Sequence, residues 1–194
     1  EKRGSAGSAT LIAQALLPPL LRAGGASTVT LRGGTHVPWS PPAHYLSRVF
    51  LPALALLGAR VKLTLRRWGW YPRGGGEINL EIEPAATLTG VAWDTPPESS
   101  EFRGLSATSK LPEHVGRRQA ERLKARLGEE LAVEILQAES LDPGSLVLLW
   151  GPRAGFDALG KRGKPAEKVA DEAVDAYLRF RERRATVDPH LADM

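Results

Sequence analysis

The sequence predicts an α+β fold built from repeated helix–strand units, on the basis of three observations. Over residues 1–83, helical apolar patterns alternate with strand patterns. Over residues 84–101, both periodicities are lost in a run rich in Pro, Thr and Ser, and residues 102–183 then begin a second series of strands and helices. We therefore expect αβαββ-type units, with helices on one face of a mixed sheet, and a second, smaller α/β unit.

Composition sets the limits of this prediction. The chain has 194 residues, of which 42% are hydrophobic, so it can bury a core as one domain or two. The absence of cysteine excludes disulfides and thiolate chemistry. No apolar run reaches the roughly 18 residues that a membrane span needs, and no secretory signal is visible. We expect a cytoplasmic protein that does not interact with a membrane.

The first helix–strand cycle is predicted at residues 8–22 and 28–32. Ser8 is a suitable N-cap, and apolar residues recur at helical spacing after it. Pro18 and Pro19 are expected to kink the helix or end it early. Residues 28–32 then alternate polar and apolar side chains, which is typical of a half-buried strand.

The second cycle repeats this order. Residues 42–57 carry a helical apolar pattern that Gly58 ends. Residues 60–66 and 77–83 alternate strictly, so each is predicted to be a strand with one apolar face.

The second unit is predicted to contain three strands and two helices. The strands are expected near residues 102–107, 132–137 and 145–150. One helix is expected at residues 112–127, and a longer one follows the basic turn at residues 160–163, from Pro165 to about Arg183.

Three glycine-rich turns within the first 80 residues are the first functional signal. They read GSAGS at residues 4–8, RGGT at residues 32–35 and YPRGGGE at residues 71–77. Small residues let backbone N–H groups approach an anion, normally a phosphate. A single glycine turn beside a strand is usually only a turn, and no established nucleotide-binding motif occurs in these three. Together they predict that bare N–H groups, with Arg32 and Arg73, face a phosphate-rich ligand in a common cleft.

A cluster of cations and three tryptophans lie close to these turns. Between residues 59 and 76 the only charged residues are basic, namely Arg60, Lys62, Arg66, Arg67 and Arg73. They fit a nucleic-acid contact or, equally, a strand edge protected by charge. The tryptophans, Trp39, Trp68 and Trp70, can either stack on bases or pack one end of the sheet.

These motifs, in this order, resemble the RNA 3'-terminal phosphate cyclases. The resemblance rests on the three glycine turns and on LPEHV at residues 111–115, GKPAEKVA at 163–170 and HLAD at 190–193. It covers nearly the whole chain and is weakest over residues 85–102. It implies that residues 1–90 are a repeat of the family's large domain, that 95–183 are a smaller inserted α/β domain, and that 184–194 return into the large domain.

The resemblance also implies a reaction. Members of the family adenylate a histidine with ATP, transfer AMP to an RNA 3'-phosphate and let the neighbouring 2'-hydroxyl close a 2',3'-cyclic phosphate, with help from a divalent metal, Mg²⁺ or Mn²⁺. The partner is therefore expected to be RNA with a 3'-phosphate end. Arg32 and Arg73 are expected to contact phosphate or RNA. An alternative is a non-catalytic, cyclase-like protein that binds RNA or assists ribosome assembly.

Residues that match the family's ATP contacts occur in three places. They are Gln14, Pro42, and the final segment His190, Leu191, Ala192, Asp193 and Met194. The family usually has glutamine where Met194 stands. Its opening glycine-rich strand is expected before Glu1 and its nucleophilic histidine after Met194, so no histidine of this chain is given the catalytic role. We expect the fragment alone to be inactive.

Overall fold

The first unit is a three-stranded sheet in the order β1-β3-β2. The computed structural model describes residues 6–194, so Gly4 and Ser5 of the first glycine turn lie outside the described part. The strands are β1 (Ser27–Gly33), β2 (Arg60–Arg67) and β3 (Gly76–Glu83). Both neighbour pairs are antiparallel, so β1 and β2 run in the same direction on either side of β3.

Helices cover one face of this sheet, as predicted. They are α1 (Ala9–Leu21), α2 (Ala43–Tyr45) and α3 (Leu51–Leu56). The alternation of β3 places Ile78, Leu80 and Ile82 in the core with the helices. The residues between them face the opposite side of the sheet and are more exposed.

The prolines of the two helical segments have different effects. Pro18 and Pro19 do not end α1 early; they lie on its exposed side, while Leu17 and Leu21 are buried. The single helix expected over residues 42–57 is interrupted by a π-helical turn, Leu46–Phe50. In this turn the N–H of Leu51 bonds to the carbonyl of Leu46, five residues earlier. The next residue, Pro52, has no N–H to continue the α-helical pattern, which accounts for the break.

The second unit is a four-stranded sheet in the order β5-β4-β6-β7, with two long helices. The elements are β4 (Arg103–Ser109), α4 (Glu113–Leu127), β5 (Val133–Gln137), β6 (Gly144–Gly151), β7 (Ala154–Leu159) and α5 (Ala166–Glu182). Here β4 and β5 are parallel, whereas β6 is antiparallel to both of its neighbours. The α+β class is thereby confirmed. Strand β7 was not predicted.

The two units share buried surface. One face of the second sheet, with Val147 and Leu149, packs on α5. Its other face, with Leu146 and Leu148, joins the core that contains Tyr45 of the first unit. The first sheet and the second sheet are therefore held together through α2 and the π-helical turn.

The segment between the units has little regular structure. Residues 84–98 form neither helix nor strand, and a short 3₁₀ turn, Ser99–Glu101, precedes β4. Backbone hydrogen bonds hold this segment to the first unit, from Ala85 N to Leu21 O (2.8 Å) and from Thr89 N to Leu57 O (2.9 Å). The predicted division into domains 1–90 and 95–183 stays a prediction.

The chain ends in a short helix, α6 (Pro189–Asp193), which was also not predicted. Among the helices of residues 6–194, none combines the length and the apolar character that a bilayer crossing demands.

Candidate functional site

The three glycine turns lie together at one corner of the first unit. The N–H of Gly34 donates to the carbonyl of Gly7 (2.8 Å), and the N–H of Thr35 donates to the carbonyl of Gly69 (2.9 Å). A Cβ atom on Gly69 would lie 2.5 Å from the nitrogen of Gly76. The glycines are thus required because three backbone segments approach one another too closely for a side chain.

Several N–H groups in and beside these turns bond within the protein. Acceptors inside the chain take the N–H groups of Gly34, Thr35, His36, Gly69 and Gly74. The expectation that these turns leave their amides bare for a ligand is therefore wrong at Gly34, Thr35 and Gly74, which are the turn residues among these five. The turns shape the corner, and ligand contacts at this corner must come from side chains or from other backbone groups.

A second junction joins the first helix to the end of the chain. The side-chain amide of Gln14, on α1, donates to the sulfur of Met194 at 3.6 Å. Residues 180 positions apart are thus in contact. Both belong to the set that the resemblance assigns to ATP.

Asp188 holds this junction in place. Its buried carboxylate accepts hydrogen bonds from the hydroxyl of Tyr45 (2.8 and 2.9 Å) and from the N–H of Gly155 (2.8 Å). It also caps α6, accepting from the N–H groups of His190 (2.7 Å) and Leu191 (3.0 Å). One side chain therefore connects α2, β7 and α6. The dipeptide Asp-Pro at the start of a helix is a local signal that could have predicted this cap.

The remaining ATP-assigned residues lie along the same elements. Pro42 is the N-cap of α2, and its carbonyl accepts from the N–H of Tyr45 at 2.9 Å. The ring of His190 meets the ring of Tyr45 edge-on at 5.5 Å, and Leu191 packs on the core. The other members, Ala192 and Asp193, are exposed on α6. All seven positions thus lie on α1, the start of α2, and α6 with the residue that follows it.

Burial perturbs the acids and the phenol of this junction. Desolvation raises the pKa of Asp188, against the opposing effect of its hydrogen bonds. It also raises the pKa of Asp157 to about 6, with the charge of Asp188 adding to the effect and that of His190 opposing it. The pKa of Tyr45 is raised for the same reason, so this hydroxyl stays a hydrogen-bond donor.

The two arginines assigned to phosphate or RNA lie on other elements. Arg32 lies near the end of β1 and pairs with Glu77 of β3 (Nε–Oε2, 2.7 Å). Arg73 pairs with Asp142 of the loop between β5 and β6 (Nε–Oδ1, 2.7 Å) and also donates to the carbonyl of Leu141. Their side chains are 78% and 61% exposed, so a phosphate can reach both guanidinium groups.

The cations of strand β2 divide between the two interpretations given above, a nucleic-acid contact and a strand edge protected by charge. Arg60 pairs with Glu83 and Lys62 with Glu81, each at 3.3 Å across the strand pair. These two cations therefore belong to a charged strand edge. Arg66, in contrast, has no ion pair among the residues that the structure describes.

A stack of aromatic rings closes the glycine corner. The indole of Trp68 lies parallel to the ring of His36, with centroids 4.3 Å apart. The Nε2 atom of His36 and the Nδ1 atom of His44 share a 2.8 Å hydrogen bond. Burial, helped by the charge of Arg48, lowers the pKa of His44 to about 4, and burial lowers that of His36 as well, so both rings are neutral at pH 7.

The three tryptophans therefore differ in role. Trp70 is buried and packs against Gly144, as expected for a tryptophan that packs one end of the sheet. Trp68 is half-buried in the stack, and Trp39 is 95% exposed at the tip of its loop. The histidine pair was not predicted, because eight residues separate its members and no helical spacing relates them.

Residues 6–194 contain no group of three or more His, Asp or Glu side chains arranged to hold a metal ion. We therefore assign no residue to the divalent metal that the resemblance implies. That cofactor stays a prediction.

The described geometry defines an α+β protein whose final helix folds back onto its first two helices. A family model described as RNA 3'-terminal phosphate cyclase matches residues 2–194. The chain therefore belongs to the RNA 3'-terminal phosphate cyclase family.

Curated proteins named RNA 3'-terminal phosphate cyclase agree with this assignment. The chain is 42% identical to the one from Gloeothece citriformis over 200 residues, which is 100% of this chain and 57% of that protein. It is 43% identical to the one from Thermococcus onnurineus (97% of this chain, 57% of that protein) and 43% identical to the one from Methylococcus capsulatus (98% and 55%). The chain spans a little over half the length of these relatives.

Proposed function

We propose that this chain is part of an enzyme that uses ATP to convert an RNA 3'-phosphate into a 2',3'-cyclic phosphate. One observation carries the proposal. Positions 14, 42 and 190–194, which the resemblance assigns to ATP, are distant in sequence and lie on helices linked by the Gln14–Met194 contact and by Asp188. The relatives' shared name supports the same reaction.

The ATP site of this proposal is built on rigid elements. The amide of Gln14 can both donate and accept hydrogen bonds, and its bond to the sulfur of Met194 is weak and easily exchanged for a ligand. The cap at Asp188 fixes α6 at its first turn, which orients His190 and the residues after it. ATP supplies an adenylyl group, which gives the RNA phosphate a good leaving group.

Cyclisation then needs position and charge neutralisation. A phosphate monoester is a poor electrophile because its own charge repels a nucleophile. Arg32 and Arg73 would offset that charge, and the carboxylates of Glu77 and Asp142 keep their guanidinium groups oriented. We assign no histidine of this chain the role of nucleophile.

The proposal is tested by incubating the complete gene product with ATP and a single-stranded RNA that ends in a 3'-phosphate. We expect conversion of this end into a phosphatase-resistant cyclic phosphate, and a covalent AMP adduct on the protein. RNA binding without product and without adduct would contradict the proposal and favour the non-catalytic alternative.

A matched pair of variants tests the arginine role. Arg73→Ala removes a cation of the glycine corner, whereas Arg60→Ala removes a cation of the strand edge that pairs with Glu83. We expect slower cyclisation only for Arg73→Ala. Equal rates for the two variants would contradict the role given to Arg73.

A further inference from the structure

A cleft separates the end of β2 from the chain that follows β5. Its volume is about 650 Å³. One wall is Arg66, Arg67 and Trp68, and the other is formed by residues 136–141. Trp68 and Ser140 form an isolated parallel bridge that joins the two walls. Strands β2 and β5 each lie at the edge of their sheet, so the cleft is the place where the two sheet edges meet.

Guanidinium groups lie along one wall of this cleft. Arg66 lines it and forms no ion pair within residues 6–194. Arg67 also lines it, and its Nη2 atom is 4.0 Å from a carboxylate oxygen of Glu77 that Arg32 shares at 2.7 Å. Arg73 donates to the carbonyl of Leu141, a residue of the opposite wall. The lining itself holds two arginines, Arg66 and Arg67, and one exposed acid, Glu139, so the basic side chains outnumber the acidic one.

The cleft also offers an aromatic surface and polar groups. The indole of Trp68 is held by its stack on His36 and by contact with His44, at 4.6 Å between ring centroids. Since both imidazoles are neutral, the stack adds no charge to the cleft. The side chains of Gln137 and Ser140 add hydrogen-bonding groups to the opposite wall.

We propose that this cleft binds the single-stranded RNA that leads to the reacting 3'-phosphate end. The inference rests on the proposed function and adds to it the surface that holds the body of the substrate. Guanidinium groups beside an aromatic ring suit a ribose-phosphate chain with unstacked bases. The volume falls within the range of about 300–1,000 Å³ that is typical of ligand sites, which suits a short piece of one strand.

The test measures the affinity of the complete gene product for a fluorescent single-stranded RNA at several salt concentrations. Arg66→Ala and Arg67→Ala are compared with Arg60→Ala, which removes an equal charge from the same strand outside the cleft. We expect each cleft variant to weaken binding by about 5–10-fold and to reduce the slope of log affinity against log salt by about 0.7. Equal losses in all three variants, or no loss in either cleft variant, would overturn the inference.

A second measurement separates this inference from the proposed function. A dinucleotide with a 3'-phosphate presents fewer phosphates to the cleft than a longer RNA does, so Arg66→Ala should raise the KM for the dinucleotide less than it raises the KM for the longer RNA. If Arg66→Ala leaves the enzyme active and the KM for both substrates unchanged, the RNA-binding role of the cleft is wrong, while the cyclase proposal still holds. If the wild type cyclises neither substrate, the proposed function is wrong, and the affinity measurement alone decides the cleft.

Discussion

The connection made by Asp188 leads to the sharpest stability prediction. Its carboxylate has no measurable exposure and serves four donors, on Tyr45, Gly155, His190 and Leu191. Asp188→Ala removes the acceptor for all of them. Tyr45→Phe removes only one donor and leaves the other three bonds in place.

The expected losses follow from the surroundings of each donor. The hydroxyl of Tyr45 and the N–H of Gly155 are buried, and an unsatisfied buried donor costs about 1–3 kcal/mol. The two N–H groups of α6 can form hydrogen bonds with water instead, so loss of their cap costs about 1 kcal/mol. We therefore expect Asp188→Ala to lower the free energy of unfolding by about 3–7 kcal/mol, and Tyr45→Phe by about 1–2 kcal/mol.

Urea unfolding, followed by circular dichroism, measures both values. The double variant should lose less than the sum of the two single losses, because removing the carboxylate already removes the partner of the hydroxyl. A loss below about 1 kcal/mol for Asp188→Ala would refute the role of this side chain as the link between three elements.

Three further predictions concern packing and pH. Gly69→Ala should lower the free energy of unfolding by at least about 2 kcal/mol, because its Cβ would meet backbone atoms of Gly33 and Gly76 at 2.5 Å. Gly24→Ala is the control, since the space around Gly24 is open and the substitution should have little effect. Similar urea midpoints for the two variants would contradict the close approach at Gly69. Since the folded protein lowers the pKa of His36 and His44, it binds fewer protons than the unfolded chain, so stability should fall as pH drops from about 6.5 towards about 4. Replacing both histidines with glutamine should reduce this loss of stability at low pH. An unchanged pH profile in the double variant would refute the role given to the two histidines. The raised pKa of Asp157, about 6, has the opposite effect on the pH dependence of stability. The folded protein holds this proton more tightly than the unfolded chain, so stability falls as pH rises from 3.8 to about 6. Asp157→Asn should therefore gain more stability over the wild type at pH 7 than at pH 4, and equal differences at the two pH values would argue against this burial effect.

Much of the fold could be predicted from local pattern. Strands β2 and β3 were expected because both alternate apolar and polar residues, and in β3 this alternation places Ile78, Leu80 and Ile82 under the helices. Helices α4 and α5 were expected from apolar spacing and from a proline at the start of each. In these elements the local preference and the tertiary environment agree.

The elements that were missed have weaker local signals. Strand β7 begins with Ala154 and Gly155, one residue after the Gly-Pro pair at residues 151–152, so its sequence resembles a loop. Its pairing with β6 and the burial of Phe156 decide its structure. The π-helical turn depends on the hydrogen bond from Leu51 to Leu46, which no apolar spacing reveals.

In the candidate site, as in the fold, the contacts between distant segments could not be predicted from local sequence. Gln14 and residues 190–194 were selected through the family resemblance, since nothing in their spacing relates α1 to the end of the chain. The pairing of His36 with His44 depends on the return of the chain at α2, where the N–H of Ala43 bonds to the carbonyl of Thr35 at 2.8 Å. Contacts of this kind arise only when distant segments pack together.

The central claim is that α1 and α6 form one wall of the ATP site. Its most direct test is the KM for ATP during cyclisation of a 3'-phosphate RNA by the complete gene product carrying Gln14→Ala. Arg22→Ala, at the other end of the same helix, serves as the control. Loss of one hydrogen bond predicts a rise in the KM for ATP of about 3–10-fold for Gln14→Ala, with the KM for RNA unchanged and the control equal to the wild type. An unchanged KM for ATP in the Gln14 variant would contradict the claim.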